Sequence, residues 1–270
     1  MESIIRAMQR NKLGICDLHC HVLPGMDDGC RSVEESIRVM EESARQGVGA
    51  MMATPHYYPR ETVESFLSRR HAAYSQLNEI IKGKKKNLPV LNLGAEVAWH
   101  NGLIYEERLE ELCFGKSNYM LLEMPFAKWS SSVLADVRKL GSMRNIRVII
   151  AHLERYLKIQ DKKMIEALLD MDVMIQMNGE YILGFWTQRK AAQMLKNGFV
   201  HVLGSDSHNM DRRAPNLGET CRKLSQMGVE DVLLDIQETS SEIFMESVWG
   251  EQGLIPRKQR ERHIENECFN

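Results

Sequence analysis

Residues 15–53 read ICDLHCHVLPGMDDGCRSVEESIRVMEESARQGVGAMMA, and this stretch contains the unit that repeats along the whole chain. Two short β-rich runs, Ile15–His21 and Val48–Ala53, flank the run Val33–Gln46, whose apolar residues recur with helical spacing. A strand, a helix and a second strand in this order are typical of a parallel βαβ unit. The stretch therefore predicts an α/β fold built on a parallel sheet.

The same alternation continues along most of the sequence. Five further β-rich runs are predicted as strands: Val90–Ala95, Tyr119–Glu123, Arg147–His152, Val173–Met177 and His201–Gly204. Further helical patterns cover Glu61–Lys82, Leu103–Leu112, Ser131–Met143, Asp161–Leu169 and Thr187–Lys196, with about three more stretches between Asn216 and Met245. Because each of the seven strands is followed by a helix and no linker rich in Pro, Gly or Ser interrupts them, we expect one domain.

Composition excludes several classes of protein. The 270 residues carry 35 basic and 37 acidic side chains, and a net charge of -2 provides no strong field for nucleic acid. No stretch approaches the roughly 20 apolar residues of a membrane span, and no apolar signal core follows residues 1–12. The six cysteines are scattered rather than spaced as a disulfide framework, which favours reduced thiols in the cytoplasm.

The first predicted strand ends in a cluster of metal-binding residue types, residues 17–21 (DLHCH). Alternation with period two places Asp17, His19 and His21 on one face of the strand. It places Cys16 and Cys20, with the leucine between them, on the other face, which argues against a zinc–thiolate site. Two imidazoles at positions i and i+2 can converge on one cation.

Similar residues recur at the ends of later strands or in the loops that follow strands. They are Asp27, Asp28, His56, Glu96, Glu123, His152, Asp206 and His208. A lone His or Glu at such a position more often makes an ordinary hydrogen bond, but burying so many carboxylates together without cations would be costly. Nitrogen and oxygen ligands without thiolates predict a multinuclear site for Mn²⁺, Fe²⁺ or Zn²⁺. The other four histidines are predicted to be structural or solvated: His71, His100, His201 and His263.

Taken in order, these motifs resemble those of a known family. Residues 17–29 (DLHCHVLPGMDDG) resemble the opening motif of the polymerase-and-histidinol-phosphatase (PHP) superfamily. More narrowly, the chain is similar to the manganese-dependent protein-tyrosine phosphatases of bacterial capsule and exopolysaccharide operons, the CpsB/CapC or YwqE type. Later motifs match in order over roughly residues 14–240: residues 53–57 (ATPHY), 94–97 (GAEV), 121–125 (LLEMP), 151–156 (AHLERY) and 204–208 (GSDSH).

The resemblance implies a fold and a site. The fold would be a single-domain, distorted (β/α)7 TIM-like barrel (PHP fold), with a core at about residues 14–245 and a charged tail at about 250–270. The site would hold two to three divalent ions, with Mn²⁺ favoured and Fe²⁺, Zn²⁺ or Mg²⁺ as alternatives. The implied ligands are His19, His21, Glu96 and Asp206 for one ion, Glu96, Glu123 and His152 for a second, and Asp28, His56 and His208 for a third. Arg155 would clamp a phosphate oxygen, and Asp28, His56 or His208 would protonate the leaving group.

The implied activity is hydrolysis of phosphotyrosine on a protein by a metal-bridging hydroxide. The implied substrate is the C-terminal tail of a bacterial tyrosine kinase that regulates capsule or exopolysaccharide synthesis. A small-molecule phosphatase, such as a histidinol-phosphate phosphatase, is the alternative, and a non-catalytic metal-binding regulator is a more remote hypothesis. A thiol-based phosphatase is excluded because no cysteine is followed six positions later by arginine. An aspartyl pair at Asp170 and Asp172 is disfavoured because it lies at the wrong end of its strand.

Aromatic residues follow or flank the motifs at the strand ends. They are Tyr57, Tyr58, Phe126, Trp129, Tyr156, Phe185 and Trp186. Two interpretations are open at this point. The rings either form the wall of a groove for a phenolic ring or simply pack under loops and cover the mouth of the barrel.

Overall fold

The computed structural model describes residues 13–83 and 87–250, and over these residues the chain alternates between strands and helices. The strand segments are β1 (Ile15–Cys20), β2 (Val48–Ala53), β3 (His56–Tyr57), β4 (Val90–Leu93), β5 (Glu96–Ala98), β6 (Tyr119–Glu123), β7 (Arg147–Ile150), β8 (Met174–Asn178) and β9 (Val202–Gly204). Every pairing between these strands is parallel, as predicted. The expected charged tail and His263 lie outside the described residues.

The strands form a curled parallel sheet. Three segments follow the order β1-β2-β4, and six follow the order β3-β5-β6-β7-β8-β9. A parallel bridge between Cys20 and Ser207 joins the end of β1 to the residues just after β9. In a curled parallel sheet the carboxyl ends of the strands share one rim, so side chains that follow different strands can meet there.

Two of the predicted strands are each followed, after a break of two residues, by a further short segment. The chain leaves the sheet at Thr54 and Pro55, between β2 and β3, because proline has no N–H to donate and restricts the residue before it. The predicted strand Val90–Ala95 ends at Leu93, and β5 begins only at Glu96. A Cβ at Gly94 would lie 2.5 Å from the ring of Phe114, so the chain passes close to that ring at the break. The prediction of seven unbroken strands is therefore corrected to nine segments in the described part of the chain.

Helices pack against both faces of the sheet. Their bounds are α1 (Val33–Arg45), α2 (Val63–Gly83), α3 (Ser131–Arg144), α4 (Lys162–Leu169), α5 (Gly179–Leu183), α6 (Gln188–Lys196), α7 (Leu217–Gln226) and α8 (Glu230–Trp249). Helix α1 begins where its sequence predicts, because the hydroxyl of Ser32 accepts a hydrogen bond from the backbone N–H of Glu35. None of the helices within residues 13–83 and 87–250 combines the length and apolarity needed to cross a bilayer.

The helix predicted over Leu103–Leu112 is wrong. The chain forms two short 3-10 helices there, Leu103–Tyr105 and Leu109–Leu112, and Arg108 between them has a left-handed φ of 61°. Ile104 and Leu109 are both buried, and their spacing of five residues fits no single face of an α-helix. Two tight turns bury both side chains, whereas one helix would expose one of them.

The C-terminal region also departs from the prediction. Two helices, α7 and α8, replace the three stretches expected after Asn216, because no Gly or Pro interrupts the 20 residues of α8. Helix α8 packs against β1, β4 and β9. Its residues Ile243 and Phe244 join Leu18, Leu121 and Ile149 in a buried cluster on one face of the sheet, opposite the face that packs against the other helices.

Candidate metal centre

The two histidines that end β1 and begin the following loop converge on one point. Nε2 of His19 lies 3.2 Å from Nε2 of His21 and 3.0 Å from Oε2 of Glu96. Asp17, predicted to share their face, is instead held under the site, where it accepts hydrogen bonds from the backbone N–H and the hydroxyl of Ser205. Asp17 thereby joins the end of β1 to the end of β9.

The strict alternation predicted for β1 is wrong because the strand is irregular. Its pairing with β2 shifts register between Asp17 and Cys20. As a result, Cys16 and Leu18 lie in the cluster that contains Phe244, while Cys20 lies in the cluster that packs against the outer helices. The cysteines still point away from the histidines, as expected, and the five cysteines within the described residues are free.

Three groups of side chains within the described residues place their ligand atoms within 4.8 Å of one another. The groups are His21, Asp28, His56 and His208; His19, His21, Glu96 and Asp206; and His56, Glu96 and Glu123. They contain all the ligands implied by the resemblance except His152. The Nε2 atom of His152 lies 2.7 Å from Oε1 of Glu96 and 3.6 Å from Oε1 of Glu123. His21, His56 and Glu96 each belong to two of the three groups, so the groups form one continuous centre.

Register and backbone geometry bring these side chains together. The pairing of β3 with β5 puts His56 directly beside Glu96. His152 and Asp206, which follow β7 and β9, have φ values of 33° and 52°, a left-handed conformation that is unfavourable for residues other than glycine. Gly204 is needed because a Cβ there would lie 2.5 Å from that of His19. Strained backbone and close approach therefore concentrate at this site.

The centre holds carboxylates that stay ionised despite burial. Burial would raise the pKa of Glu96, but the charge of His19 and hydrogen bonds from His152, His19 and His21 hold that pKa well below its usual value. Burial would likewise raise the pKa of Asp206, and the charges of His19 and His21 lower it well below its ordinary range. These two carboxylates in turn raise the pKa of His19 against the opposing effect of its burial. The negative charge of the centre thus attracts positive charge to its middle.

The remaining members of the centre differ in charge. Burial, together with the nearby charge of Glu96, raises the pKa of Glu123 to about 7. Burial and the charges of His21 and Arg213 lower the pKa of His208 to about 4, so this imidazole is neutral near pH 7. Neutral imidazoles are the form that binds metal ions.

The donor set fits divalent cations. It consists of imidazole nitrogens and carboxylate oxygens without thiolates, which suits borderline or hard ions. Several polar atoms of the centre are buried without a hydrogen-bond partner, among them Oδ1 of Asp206, Nδ1 of His56 and Nδ1 of His152. Buried polar atoms without partners are costly. A cation between His19, His21 and Asp206 would provide the partner that Oδ1 of Asp206 lacks.

Four residues that are not among the ligands implied by the resemblance support the site. Asp27 accepts a hydrogen bond from Nδ1 of His21 at 2.7 Å and from the backbone N–H of His56. On β8, Oε1 of Gln176 lies 3.1 Å from Nδ1 of His19, and Nδ2 of Asn178 donates to Oδ2 of Asp206. Gln176 and Asn178 also hydrogen-bond to each other. Polar residues at i and i+2 at the end of an otherwise apolar strand were the available signal for this pair.

The fourth residue is an arginine after β9. The guanidinium groups of Arg155 and Arg213 both contact Oδ2 of Asp206, and Arg213 lies 2.7 Å from Nε2 of His208. Arg155 had been expected to clamp phosphate, whereas Arg213 had not been considered. Its position in the loop after the last strand, five residues beyond His208, was the only signal in the sequence.

The residues predicted to lie away from the site do so. His71 is exposed, His100 contacts Ala98 and Glu106, and His201 accepts a hydrogen bond from the backbone N–H of Ile175. Asp170 and Asp172 are exposed just before β8, at the end of the strand opposite to Asn178. None of these five residues belongs to the three groups found in the described part of the chain.

Comparison with known proteins gives a consistent result. The sequence profile of the family described as "Capsular polysaccharide synthesis, CpsB/CapC" matches residues 15–246. The chain is 30% identical over 214 residues to the tyrosine-protein phosphatase CpsB of Streptococcus pneumoniae, covering 74% of this chain and 85% of that protein. It is 27% identical over 218 residues to the tyrosine-protein phosphatase CpsB of Streptococcus agalactiae serotype III (strain NEM316), covering 75% of this chain and 86% of that protein.

The fold also matches a solved structure. The match is to the crystal structures of YwqE from Bacillus subtilis and CpsB from Streptococcus pneumoniae, described as unique metal-dependent tyrosine phosphatases, with a TM-score of 0.73. The alignment covers 86% of this chain and 94% of that chain at 20% identity. At this identity the match supports the fold alone.

Proposed function

The chain belongs to the CpsB/CapC family of capsular polysaccharide synthesis proteins, and from this membership we propose that it is a metal-dependent protein-tyrosine phosphatase. The observation that carries the proposal is the convergence of nine side chains, from the ends of separate strands and the loops after them, on one buried centre.

We propose that the nine side chains are the metal ligands. They are His19, His21, Asp28, His56, Glu96, Glu123, His152, Asp206 and His208. Two to three divalent ions held there, with Mn²⁺ favoured, would acidify a bound water and offset the charge of a phosphoryl group. Because His56 shares one group with Glu96 and Glu123, it joins His152 as a candidate ligand beside those carboxylates.

The arginines suit the binding of a phosphoryl group. About a third of each side chain, Arg155 and Arg213, is exposed, so both are partly open to solvent beside the centre. Guanidinium groups bind phosphate oxygens in a fork geometry, and two of them would fix its orientation and stabilise the charge of the transition state. We therefore assign both arginines to phosphate binding.

Proton transfer to the leaving oxygen is the least demanding part of the reaction. A phenol has a pKa of about 10, so a phenolate departs with little protonation. Burial lowers the pKa of His56, and that of His208 is lowered to about 4, so neither imidazole holds a second proton near pH 7. Asp28 is two-thirds exposed, and its Oδ1 lies 3.3 Å from Nε2 of His208. Among the three donors considered, Asp28 is the most exposed to solvent.

The proposal is tested with the full-length protein and a phosphotyrosine peptide. Chelation with EDTA should abolish release of phosphate, and Mn²⁺ should restore it. His19→Ala should lower kcat/KM by at least about 100-fold, since one of the proposed ligands is lost, whereas His71→Ala, which changes an exposed histidine, should leave it unchanged. Activity that survives EDTA, or a kcat/KM for histidinol phosphate above that for the peptide, would contradict the proposal.

We also propose that the strand segments form one distorted (β/α)7 barrel in a single domain. The interruptions at Thr54–Pro55 and Gly94–Ala95 are each two residues long, so β2 with β3, and β4 with β5, count as one strand position each. The bridge between Cys20 and Ser207 supports closure between the first and last positions.

The physiological substrate that we propose is the phosphorylated C-terminal tail of a bacterial tyrosine kinase that controls capsule or exopolysaccharide synthesis. The family description, which concerns capsular polysaccharide synthesis, supports this setting. A cytoplasmic location fits the free, mostly buried cysteines of the described residues.

A further inference from the structure

Two half-exposed aromatic rings lie directly on histidines of the metal centre. The ring of Tyr58 stacks on that of His56, with centroids 5.1 Å apart and planes 25° apart. The ring of Phe126 stacks on that of His152, with centroids 6.1 Å apart and planes 23° apart. Tyr58 is 42% exposed and Phe126 is 54% exposed, so each ring is partly open to solvent.

The other aromatic residues near the strand ends have different surroundings. Tyr57, Trp129 and Tyr156 are buried. The hydroxyl of Tyr156 accepts a hydrogen bond from the backbone N–H of Met124, and the indole of Trp129 donates one to the carbonyl of Pro125, so these two rings hold the loop that carries Phe126. Their role is structural, as one of the two interpretations of the sequence suggested.

Phe185 and Trp186 are more exposed than the stacked rings but do not contact the centre. They are 74% and 90% exposed, and their recorded ring contact is an edge-to-face contact with each other. Exposure alone therefore does not distinguish a ring that serves the site. Contact with a proposed metal ligand is the distinguishing feature. Among the seven aromatic residues near the strand ends, only Tyr58 and Phe126 are both exposed and in contact with such a ligand.

Tyr58 and Phe126 follow two strands that flank the same neighbour in the sheet. Tyr58 follows β3 and Phe126 follows β6, and β5, which carries Glu96, lies between these two strands in the sheet. The arginines, in contrast, contact Asp206 and His208.

From this arrangement we infer that Tyr58 and Phe126 form the binding site for the phenyl ring of the substrate and select aryl over alkyl phosphate esters. The inference rests on the proposed function and deepens it. With the phosphoryl group held by Arg155 and Arg213, the ester substituent would be placed against the two partly exposed rings. A flat phenyl ring gains stacking contacts there that a short alkyl chain does not.

The experiment measures binding rather than turnover, so the chemistry of the leaving group does not affect it. Benzylphosphonate and ethylphosphonate, which no phosphatase reaction cleaves at the C–P bond, are titrated calorimetrically into the Mn²⁺-loaded full-length protein. We expect Tyr58→Leu and Phe126→Leu each to lower the affinity for benzylphosphonate by about three- to tenfold, which corresponds to the free energy of one aromatic pair. The affinity for ethylphosphonate should fall by less than about twofold.

Matched controls separate a ring site from a general loss of apolar surface. Tyr105→Leu and Phe185→Leu change rings that are 75% and 74% exposed, and they should leave the affinity for both phosphonates unchanged. Metal content measured on the same samples reports whether a variant disturbs the stacked histidine. The inference is overturned if wild-type protein binds the two phosphonates equally or if the stacked-ring variants weaken both equally.

These outcomes are distinct from a failure of the proposed function. If the protein binds benzylphosphonate preferentially through Tyr58 and Phe126 but hydrolyses no phosphotyrosine peptide, the ring site is supported and the proposed phosphatase function is contradicted. If the protein hydrolyses the peptide but does not bind the two phosphonates as expected, the proposed phosphatase function is supported and the ring site is contradicted.

Discussion

At the scale of single residues, the imidazole of His21 is held from both of its nitrogens. Its Nδ1 lies 2.7 Å from Oδ2 of Asp27, and its Nε2 lies 3.2 Å from Oε2 of Glu96. Donation from Nδ1 to Asp27 leaves Nε2 free to bind a cation. A carboxylate behind a ligating histidine fixes the tautomer and the orientation of the ring and raises its basicity. Asp27 is thus a positioning residue, although the adjacent Asp28 is the proposed ligand.

Asp27→Asn should weaken metal binding without unfolding the protein. The amide retains the size of the carboxylate but loses the charge that orients His21, and we expect the affinity for Mn²⁺ to fall by about 10-fold or more. Calorimetric titration of Mn²⁺ into the chelated protein measures the change. Asp170→Asn, which alters an exposed carboxylate at the far end of β8, is the matched control. An unchanged affinity in Asp27→Asn would show that Asp27 does not position His21.

At the scale of secondary-structure elements, helix ends and strand ends follow local rules. Asn145 ends α3 in a left-handed conformation with a φ of 54°, and its N–H donates to the carbonyl of Leu140. Asparagine and glycine tolerate this conformation, whereas β-branched residues do not. The side chain of Asn145 is exposed, so substitutions there change backbone preference more than packing.

Substitutions at Asn145 should therefore separate by backbone preference. Asn145→Val should lower the free energy of unfolding by about 1–2 kcal/mol because valine resists positive φ. Asn145→Gly should leave it unchanged or raise it by a few tenths of a kcal/mol. Urea denaturation followed by circular dichroism measures both. Equal stabilities for the valine and glycine variants would contradict this account of how α3 ends.

At the scale of the whole molecule, the last described helix completes the core. Ile243 and Phe244 of α8 are buried against strand residues from across the chain, including Leu18, Leu121 and Ile149. The packing of α8 against β1, β4 and β9 links the C-terminal helix to strands that carry or precede the metal centre. The fold of the site therefore depends on residues more than two hundred positions from its first histidine.

Phe244→Ala should destabilise the whole molecule. Removal of a fully buried phenyl ring should lower the free energy of unfolding by about 3–5 kcal/mol. Leu234→Ala on the same helix, where the side chain is 63% exposed, should change it by no more than about 0.5 kcal/mol. Thermal and urea denaturation of the two variants test the difference. A loss of similar size in both would mean that α8 contributes through helix propensity rather than packing.

The sequence by itself determined the parallel α/β architecture and the composition of the centre. Periodicity reports which face of an element is buried, and His, Asp and Glu at successive strand ends have few roles other than binding cations. The bounds of β2 and β6 agree with the prediction, and so does the placement of His71, His100 and His201 away from the centre. These features depend on residues close together along the chain.

Only the tertiary structure decided the features that depend on neighbours distant in sequence. The roles of Gln176 and Asn178 follow from their contacts with His19 and Asp206, which lie far from β8 in the sequence. The role of Arg213 likewise follows from its contact with Asp206. Of seven aromatic residues near the strand ends, two stack on the centre. A local pattern does not encode which loops meet, because contacts among distant residues follow from how the whole sheet curls and packs.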